Sequence, residues 1–507
     1  MLAYTIYLSF AGVLALAVWP RAWNAAARAF ALLIALGGLA IALAGYISAG
    51  SSGTVMLTDV AWVPALGIRY ALAADGISRV LVLLTGLAAV AGILFSWNIG
   101  EKSGDRANEF FAFFLALIGG VYGVFLSVDL FLLFVFYEIA IVPKYFLIAI
   151  WGSTRREYGA MKLALYSFAG SAMVLIGLLA AYAASGSHSM NLHALAQYPY
   201  PVSFQMWAFP LVFVGFAILA GMWPFHTWAP TGHVAAPTAA SMLLAGVVMK
   251  LGAYGCLRVA MTVFPHGLDP WGFSFLGIDS WRMVFALFAV IGIIYGAAVA
   301  LVQNDFKFVI GYSSVSHMGL VLLGLLTLTQ IGIDGAVLQM FSHGILAGLL
   351  FATVGRIVYE RTHTRDLGAL SKMQLAKAMP FAAWLFVLAG MASMGLPGFS
   401  GFIAEVQVLA GAWRAFPWFA IIAGVGIVIG VAYTWRAMQR AFFSDLAPQA
   451  EMVAVPEFEP VTLPEKLGVG LLVGASLLIG LYPRLLLDVI GPAVQALPHL
   501  LLTGGRS

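Results

Sequence analysis

Charge is the scarcest property of this sequence. Of its 507 residues, 25 are Lys or Arg and 21 are Asp or Glu, so that 9% of the chain is charged, whereas a soluble domain carries about 25%. A soluble chain of this length would form several domains, each with a charged surface. The composition therefore excludes a soluble enzyme and a disordered scaffold, and a net charge of +4 excludes a nucleic-acid binder.

Cysteine and the common cofactor motifs are also missing. The single cysteine, Cys256, excludes a disulfide framework and any site in which several cysteines hold zinc or an iron–sulfur cluster. The glycines form neither a P-loop nor a dinucleotide-binding fingerprint. The sequence thus indicates no redox centre, nucleotide site or hydrolytic triad, and we expect no cofactor or metal in this chain.

Long apolar runs are what the sequence has in abundance, with 62% hydrophobic residues and a mean hydropathy of +0.98. A helix needs about 20 apolar residues to cross a bilayer. We therefore predict an all-α polytopic membrane protein with fourteen transmembrane helices, the first of them a retained span rather than a signal peptide. The predicted spans are 2–19, 26–49, 77–98, 109–128, 129–151, 159–183, 206–223, 239–262, 283–303, 308–329, 333–355, 379–403, 412–435 and 467–490.

The positive charges are unevenly divided between the two sets of loops. Cytoplasmic loops of membrane proteins carry an excess of Lys and Arg. We therefore expect the richer set to be cytoplasmic and both termini to lie on the outer side. The richer set holds Arg21, Arg28, Lys102, Arg106, Arg155, Arg156, Lys307, Arg356, Arg361, Arg365, Lys372, Lys377, Arg436, Arg440 and Lys466, and the poorer one mainly Arg69, Arg282, Arg414, Arg484 and Arg506.

Loops are few, and none is long enough to form a soluble domain. The largest are 50–76, 184–205, 263–282 and 441–466. The last of these carries Asp445, Glu451, Glu457, Glu459 and Glu465, and its charge predicts a solvated cytoplasmic connection.

Two predicted spans contain similar helix breakers. Residues 221–228 close the seventh span and residues 395–402 interrupt the twelfth, and each segment has glycine, then proline, then an aromatic residue. The odd offset of five spans predicts opposite orientations in the membrane, as in inverted repeats. Discontinuous helices in matching positions are typical of ion sites in transporters, because broken backbone at membrane depth must line protein or water.

Glu138 and Lys144 are charged residues within the fifth predicted span. A charge at the bilayer centre costs about 2.5–3.5 kcal/mol on insertion scales, so that such residues indicate function. In a straight helix the two positions differ by about 9 Å of rise and about 240° of rotation. They would share a face only if Pro143 bends the helix. Lys144 could instead extend its ammonium group toward the cytoplasmic surface.

Four further ionisable residues lie in other spans: Lys250 in the eighth, His317 in the tenth, His343 in the eleventh and Glu405 just past the break in the twelfth. Buried histidines are often ordinary core residues, and this alternative stays open for His317 and His343. Burial raises the pKa of a carboxyl group and lowers that of an ammonium group, and pairing reverses both effects. Alternating carboxylates and lysines across several spans therefore favour a proton relay.

Six segments carry a resemblance to a known family. They are residues 136–151, 224–238, 250–255, 305–319, 358–366 and 395–405. The chain resembles the antiporter-like subunits of proton-pumping NADH:quinone oxidoreductase (respiratory complex I), in particular the subunit M type of bacteria, the counterpart of mitochondrial subunit 4. The resemblance covers nearly the whole chain and keeps the order of the motifs.

The resemblance implies a fold with fourteen transmembrane helices. Spans 4–8 and 9–13 would form two inverted five-helix repeats with discontinuous helices 7 and 12. The chain would divide into an N-terminal segment 1–108, a first repeat 109–262, a second repeat 283–440, and a cytoplasmic loop with a last helix in 441–507. It would lie in the bacterial cytoplasmic membrane.

The resemblance also implies roles and partners. Glu138 would be the carboxylate of an entry-side ion pair, Lys250 the central lysine, His317 and His343 histidines lining the axis, and Glu405 the carboxylate that passes charge to a neighbouring subunit. Other antiporter-like subunits would flank the chain on both sides, with membrane lipids around them. FMN, iron–sulfur clusters and quinone would belong to the complex as a whole.

One position departs from the family. The family carries a lysine on helix seven shortly before the break, and here that position falls near Leu219 in a stretch without lysine. Lys144 stands where the family has an apolar residue. We therefore hypothesise that Lys144 replaces the missing partner of Glu138.

Three alternatives remain open on the residues alone. The chain could be the D-type subunit of a multi-subunit Na⁺/H⁺ antiporter, or an antiporter-like subunit of a membrane hydrogenase or ferredoxin-fed complex. It could also be a structural spacer, which the missing helix-seven lysine favours. The ion, H⁺ or Na⁺, is open as well.

Overall fold

The computed structural model describes residues 1–48, 53–99, 106–444 and 456–497. Lys102, Asp445, Glu451 and Arg506, whose charges were considered above, lie outside these ranges. Within them, twelve helices are long and apolar enough to cross a membrane, and two shorter apolar helices accompany them. The chain is thus a helical polytopic membrane protein.

The helices follow the predicted spans closely. In chain order they are α1 Tyr4–Ala17, α2 Asn24–Ile47, α3 Gly76–Phe95, α4 Ala107–Leu126, α5 Leu130–Trp151, α6 Arg156–Ser185, α7a Val202–Ala220, α7b Trp228–Ala235, α8 Thr238–Val263, α9 Trp281–Val302, α10 Phe306–Leu326, α11 Gln330–Thr362, α12a Pro380–Ser393, α12b Ser400–Ala415, α13 Pro417–Phe442, α14 Leu463–Leu481 and α15 Arg484–Gln495. The shorter apolar helices are α1 and α12a.

A β-hairpin accompanies the helices, within one of the predicted loops. Strands β1 Val55–Val63 and β2 Ile68–Ala74 pair antiparallel within the segment that we predicted to be a loop. Gly67 closes the turn with φ +64, a left-handed conformation that glycine adopts without strain. The prediction failed because most of β1 is exposed, so that its side chains show no clear alternation of buried and exposed positions.

Aspartates begin several of the helices. The Asp129 carboxylate accepts hydrogen bonds from the amides of Phe131 and Leu132, both at 3.0 Å, and thereby caps α5. Asp305 caps α10 in the same way, at 2.8 Å from the Lys307 amide. Such caps satisfy the unpaired amides of a first helical turn. These carboxylates therefore define helix starts rather than an ion path.

The core of the molecule surrounds α8 and α11. Every residue in the most apolar part of these two helices is buried inside the protein, whereas α2, α13 and α14 leave most of that stretch at the surface. Both inner helices carry residues that the sequence predicts to be functional, Lys250 and His343. The fold therefore brings these residues into the interior, away from lipid.

Both predicted helix breaks are present. Between α7a and α7b the chain turns at Gly221, with φ +80, and between α12a and α12b at Gly395 and Gly398, with φ +77 and +101. Trp228 bridges the first break by donating from Nε1 to the Ile218 carbonyl at 2.7 Å.

An ion-pair network holds the start of α14 against α11. The carboxylate of Glu465 lies 2.6 Å from Arg356 Nε and 2.8 Å from Arg361 Nη2. Glu465 is fully buried. The expectation that it belongs to a solvated loop was wrong, because two arginines of α11 neutralise its charge in the interior.

Candidate functional site

Lys250 lies at the centre of the molecule, between two π-helical turns of α8. These turns are Leu244–Val248 and Cys256–Ala260. Lys250 is fully buried, and its Nζ donates a hydrogen bond to the carbonyl of Ala245, five residues earlier. A π turn widens the helix and is frequent at functional sites. Here it places a backbone acceptor beside a buried ammonium group.

His343 on α11 is the second partner of Lys250. Its Nδ1 lies 2.8 Å from Lys250 Nζ. No residue in the described ranges forms a hydrogen bond with its other ring nitrogen, Nε2. On its other side the ring packs against that of His317, with centroids 5.3 Å apart and planes 28° from parallel.

His317 on α10 connects this pair to α12b. Its Nδ1 lies 3.3 Å from Gln339 Nε2 and 3.4 Å from Glu405 Oε1, and its Nε2 lies 3.4 Å from Ser393 Oγ. Lys250, His343, His317 and Glu405 thus form one series of ionisable groups across four helices, which we call the axial cluster. A shared functional role for these residues stays a prediction, although their proximity is a structural fact.

The break in helix twelve positions Glu405. Glu405 is nearly fully buried at the second turn of α12b. A Cβ added at Gly395 would come within 2.8 Å of Glu405 Oε2. The glycine therefore leaves room for the carboxylate beside the broken backbone, where the sequence predicts an ion site.

Glu138 and Lys144 form a second, separate pair on α5. Their side chains interact electrostatically, with Ser171 of α6 next to Glu138. Pro143 lies inside the helix without ending it. This interaction acts at longer range, because Lys144 Nζ forms no hydrogen bond or direct ion pair with the Glu138 carboxylate in the structure.

Lys144 does not extend to the surface. Its side chain is 0% exposed, and Nζ has no hydrogen-bond partner among the described residues, nor does Glu138 Oε1. A buried charge without hydrogen bonds is costly.

The seventh helix is apolar up to its break. Leu219, the position at which the resemblance implies a lysine, is buried in the apolar core near the end of α7a. No charged residue occurs in α7a. Any cation beside Glu138 must therefore come from another helix.

His233 on α7b is a buried histidine that was not predicted from the sequence. The residue is 0% exposed, and neither ring nitrogen has a hydrogen-bond partner in the described ranges. It interacts electrostatically with Lys250, Lys307 and His343. The prediction failed because His233 follows the helix break, outside the predicted seventh span; a search of the broken segment for ionisable residues would have found it.

The described residues contain no group of three or more His, Cys, Asp or Glu side chains arranged to hold a metal ion. The expectation that this chain carries no cofactor remains a prediction. Chemically, the axial cluster offers three basic groups and one carboxyl group that can accept and release protons.

Comparison with known proteins shows the family. A family model described as NADH:quinone oxidoreductase/Mrp antiporter, TM, matches residues 127–430. NADH-quinone oxidoreductase subunit M of Rhodobacter capsulatus is 36% identical, over 98% of this chain and 96% of the relative. That of Escherichia coli (strain K12) is 37% identical, over 86% and 84%.

Solved structures share the fold. A chain of respiratory complex I from Thermus thermophilus with bound NADH superposes with a TM-score of 0.87 at 27% identity, covering 99% of this chain and all of that one. The two subunit M relatives are 36% and 37% identical to this chain over most of their length, which is more than the 27% of the Thermus thermophilus chain. Sequence and fold therefore indicate the same family. The chain therefore belongs to the subunit M family of NADH:quinone oxidoreductase, the antiporter-like subunits in the membrane arm of bacterial respiratory complex I.

Proposed function

We propose that this subunit moves protons across the membrane through the axial cluster, driven by quinone reduction elsewhere in the complex. The observation that carries the proposal is the contact of Lys250 Nζ with His343 Nδ1 at 2.8 Å, continued by His317 and its ion pair with Glu405 at 3.4 Å. Proton transfer needs donor and acceptor within hydrogen-bond reach, directly or through one water. Within the axial cluster, the His343–His317 contact is a ring contact without a hydrogen bond, so that this step requires water or ring motion.

Lys144 takes the place of the family's helix-seven lysine in this proposal. It is the partner of Glu138 by electrostatic interaction, and α7a has no charge to offer. Breaking the α5 pair would leave two uncompensated buried charges, so that a proton would move from Lys144 toward Glu138 or onward. Lys144 has no described hydrogen bond to the axial cluster, and water would have to bridge the two.

The direction of transfer runs from the α5 pair to Glu405. Glu405 lies at the far end of the axial cluster on α12b, from which charge would pass to a neighbouring antiporter-like subunit. A second neighbouring subunit would contact the α5 side.

FMN, iron–sulfur clusters and quinone in other subunits would supply the driving reaction. Moving each proton against the potential costs about 2.3 kcal/mol per 100 mV, which this chain has no redox site to provide.

The membrane topology belongs to the same proposal. The twelve long helices, with α1 and the α12 pair, give fourteen crossings. The breaks at Gly221 and Gly395 support two inverted repeats within 109–262 and 283–440, between the end segments 1–108 and 441–507.

The orientation in the membrane follows from one cavity. The ends of α3, α5 and α11 meet the starts of α4, α6, α8 and α10 around this cavity. Four basic residues line that cavity, which supports a cytoplasmic face there and both termini outside.

Lys250→Ala in the whole complex tests the proposal. The complex is reconstituted in proteoliposomes, and protons translocated are counted per NADH oxidised. We expect a lower count with NADH oxidation by the peripheral subunits unchanged. An unchanged count would favour a structural spacer, the role that the apolar α7a supports.

A further inference from the structure

A cavity of about 360 Å³ lies where seven helix ends meet. The ends of α3, α5 and α11 and the starts of α4, α6, α8 and α10 form its wall. A water molecule occupies about 30 Å³ of liquid, so that the cavity has room for a polyatomic ion with its hydration shell. None of the four residues of the axial cluster lines it.

The lining of this cavity is strongly basic. Four cations and one carboxylate face it: Arg106, Arg156, Lys307, Arg356 and Glu360. Two of the cations are neutralised by carboxylates. Arg356 pairs with Glu360 and Glu465, and Arg106 pairs with Glu109 at 2.5 Å.

Arg156 and Lys307 form no direct ion pair with a carboxylate of the described residues, although two carboxylates act on Lys307 at longer range. The hydrogen bonds that they donate go to backbone carbonyls, from Arg156 Nη1 to Ile150 at 3.0 Å and from Lys307 Nζ to Ala236 at 3.2 Å. No carboxylate in the described ranges lies within 4.0 Å of either group. Lys307 is 2% exposed, whereas Arg156 is exposed, so that the lining contains one buried and one accessible cation.

We propose that this cavity binds a phosphate group between Arg156 and Lys307. A phosphate oxygen only accepts hydrogen bonds, and both side chains have donors left over; Arg and Lys are the usual phosphate ligands in proteins. The phosphate belongs either to the headgroup of an anionic phospholipid or to a free phosphate ion. Phe95 and Trp151 on the same wall offer apolar surface to the adjoining part of a lipid.

A water-filled entrance for protons is the competing explanation of this cavity. Uncompensated positive charge disfavours an excess proton, whereas an entrance for protons favours carboxylates on its wall. A bound phosphate would remove this barrier. The binding of phosphate does not rest on the proton path, because it is measured without turnover.

The test uses the whole complex, stripped of lipid by detergent, in the wild-type form and with Arg156→Gln combined with Lys307→Gln. Phosphatidylglycerol is added back, unbound lipid is removed, and bound lipid is counted by mass spectrometry. Equilibrium dialysis with labelled inorganic phosphate forms the second arm. Arg155→Gln is the matched control, since it removes a neighbouring charge that does not line the cavity. Arg156→Gln alone covers the case in which the double variant fails to assemble.

We expect the variants to lose one phosphatidylglycerol per complex, or to bind inorganic phosphate at least tenfold more weakly, with Arg155→Gln unchanged. Loss in the lipid arm identifies a headgroup site, and loss in the phosphate arm alone identifies a site for the free ion. Equal binding by wild type and variants in both arms would overturn the proposal.

Discussion

The ammonium group of Lys250 on α8 contacts the imidazole of His343 on α11, with Nζ 2.8 Å from Nδ1. Because a lysine ammonium has only donors, Nδ1 must be the acceptor while Lys250 is charged, which leaves the proton of a neutral His343 on Nε2. A proton passing from Lys250 to Nδ1 would therefore displace one from Nε2. The pair has the arrangement of a relay that takes a proton on one side and releases one on the other.

Replacing His343 should interrupt this relay. His343→Gln keeps an acceptor near Lys250 but cannot carry a proton at neutral pH, so we expect fewer protons per NADH oxidised, as with His343→Ala. Proton uptake by proteoliposomes during NADH oxidation measures the effect. The exposed His193→Gln is the control, and a His343→Gln complex that pumps normally would rule out the relay through this ring.

Lys144 and Leu219 can be tested against each other. If Lys144 replaces the helix-seven lysine, Lys144→Ala should lower the proton count as Glu138→Gln does. Adding Leu219→Lys to Lys144→Ala should restore it, because a cation would return to the family's position. Removing Lys162 of α6, which donates to Thr231 Oγ1 at 3.4 Å, should have little effect. Normal pumping by Lys144→Ala beside inactive Glu138→Gln would refute the substitution.

The two glycines of the second break offer a matched comparison. Gly395 and Gly398 both have positive φ, so that alanine costs about 1–2 kcal/mol of strain at either position. Only at Gly395 would the new Cβ also meet Glu405, at 2.8 Å from Oε2. Gly395→Ala should therefore reduce proton translocation more than Gly398→Ala, with a similar loss of thermal stability. Equal pumping defects would mean that the break does not position Glu405.

The Glu465 network should contribute to stability rather than to transport. Glu465→Gln removes the carboxylate shared by Arg356 and Arg361, and Arg356 keeps Glu360 as its counter-charge. Breaking a buried ion pair by removing one partner costs about 3–5 kcal/mol. We expect a lower melting temperature of the subunit in the complex and some loss of assembly, with normal pumping by the assembled fraction. Glu459→Gln is the control, because only the backbone carbonyl of Glu459 contacts Arg361. A stable Glu465→Gln complex would contradict this.

Much of the fold could be predicted because hydropathy and helix breakers are local properties of the sequence. Twelve long apolar helices, the break after Gly221 and the break at Gly395 are present in the described residues, as the sequence predicted. The hairpin of β1 and β2 was not predicted, because its outward side chains lack the alternation that distinguishes a half-buried strand.

The site could be predicted only residue by residue. Intramembrane charge pointed to Lys250 and Glu405, but no local pattern shows that His343 contacts the first and His317 the second. Those contacts arise from the packing of four helices. His233 was not predicted because it lies on α7b, after the helix break and beyond the predicted span. The burial of Glu465 was not predicted because the arginines that pair with it lie more than 100 residues earlier in the chain.

The most direct test of the account is the proton count of a double variant. If Lys250, His343, His317 and Glu405 form one path, interruption at either end blocks it completely, and effects within one unit do not add. Lys250→Ala combined with Glu405→Gln should then lose no more protons per NADH than the more severe single variant. Losses that add in the double variant would show two independent routes and contradict a single path.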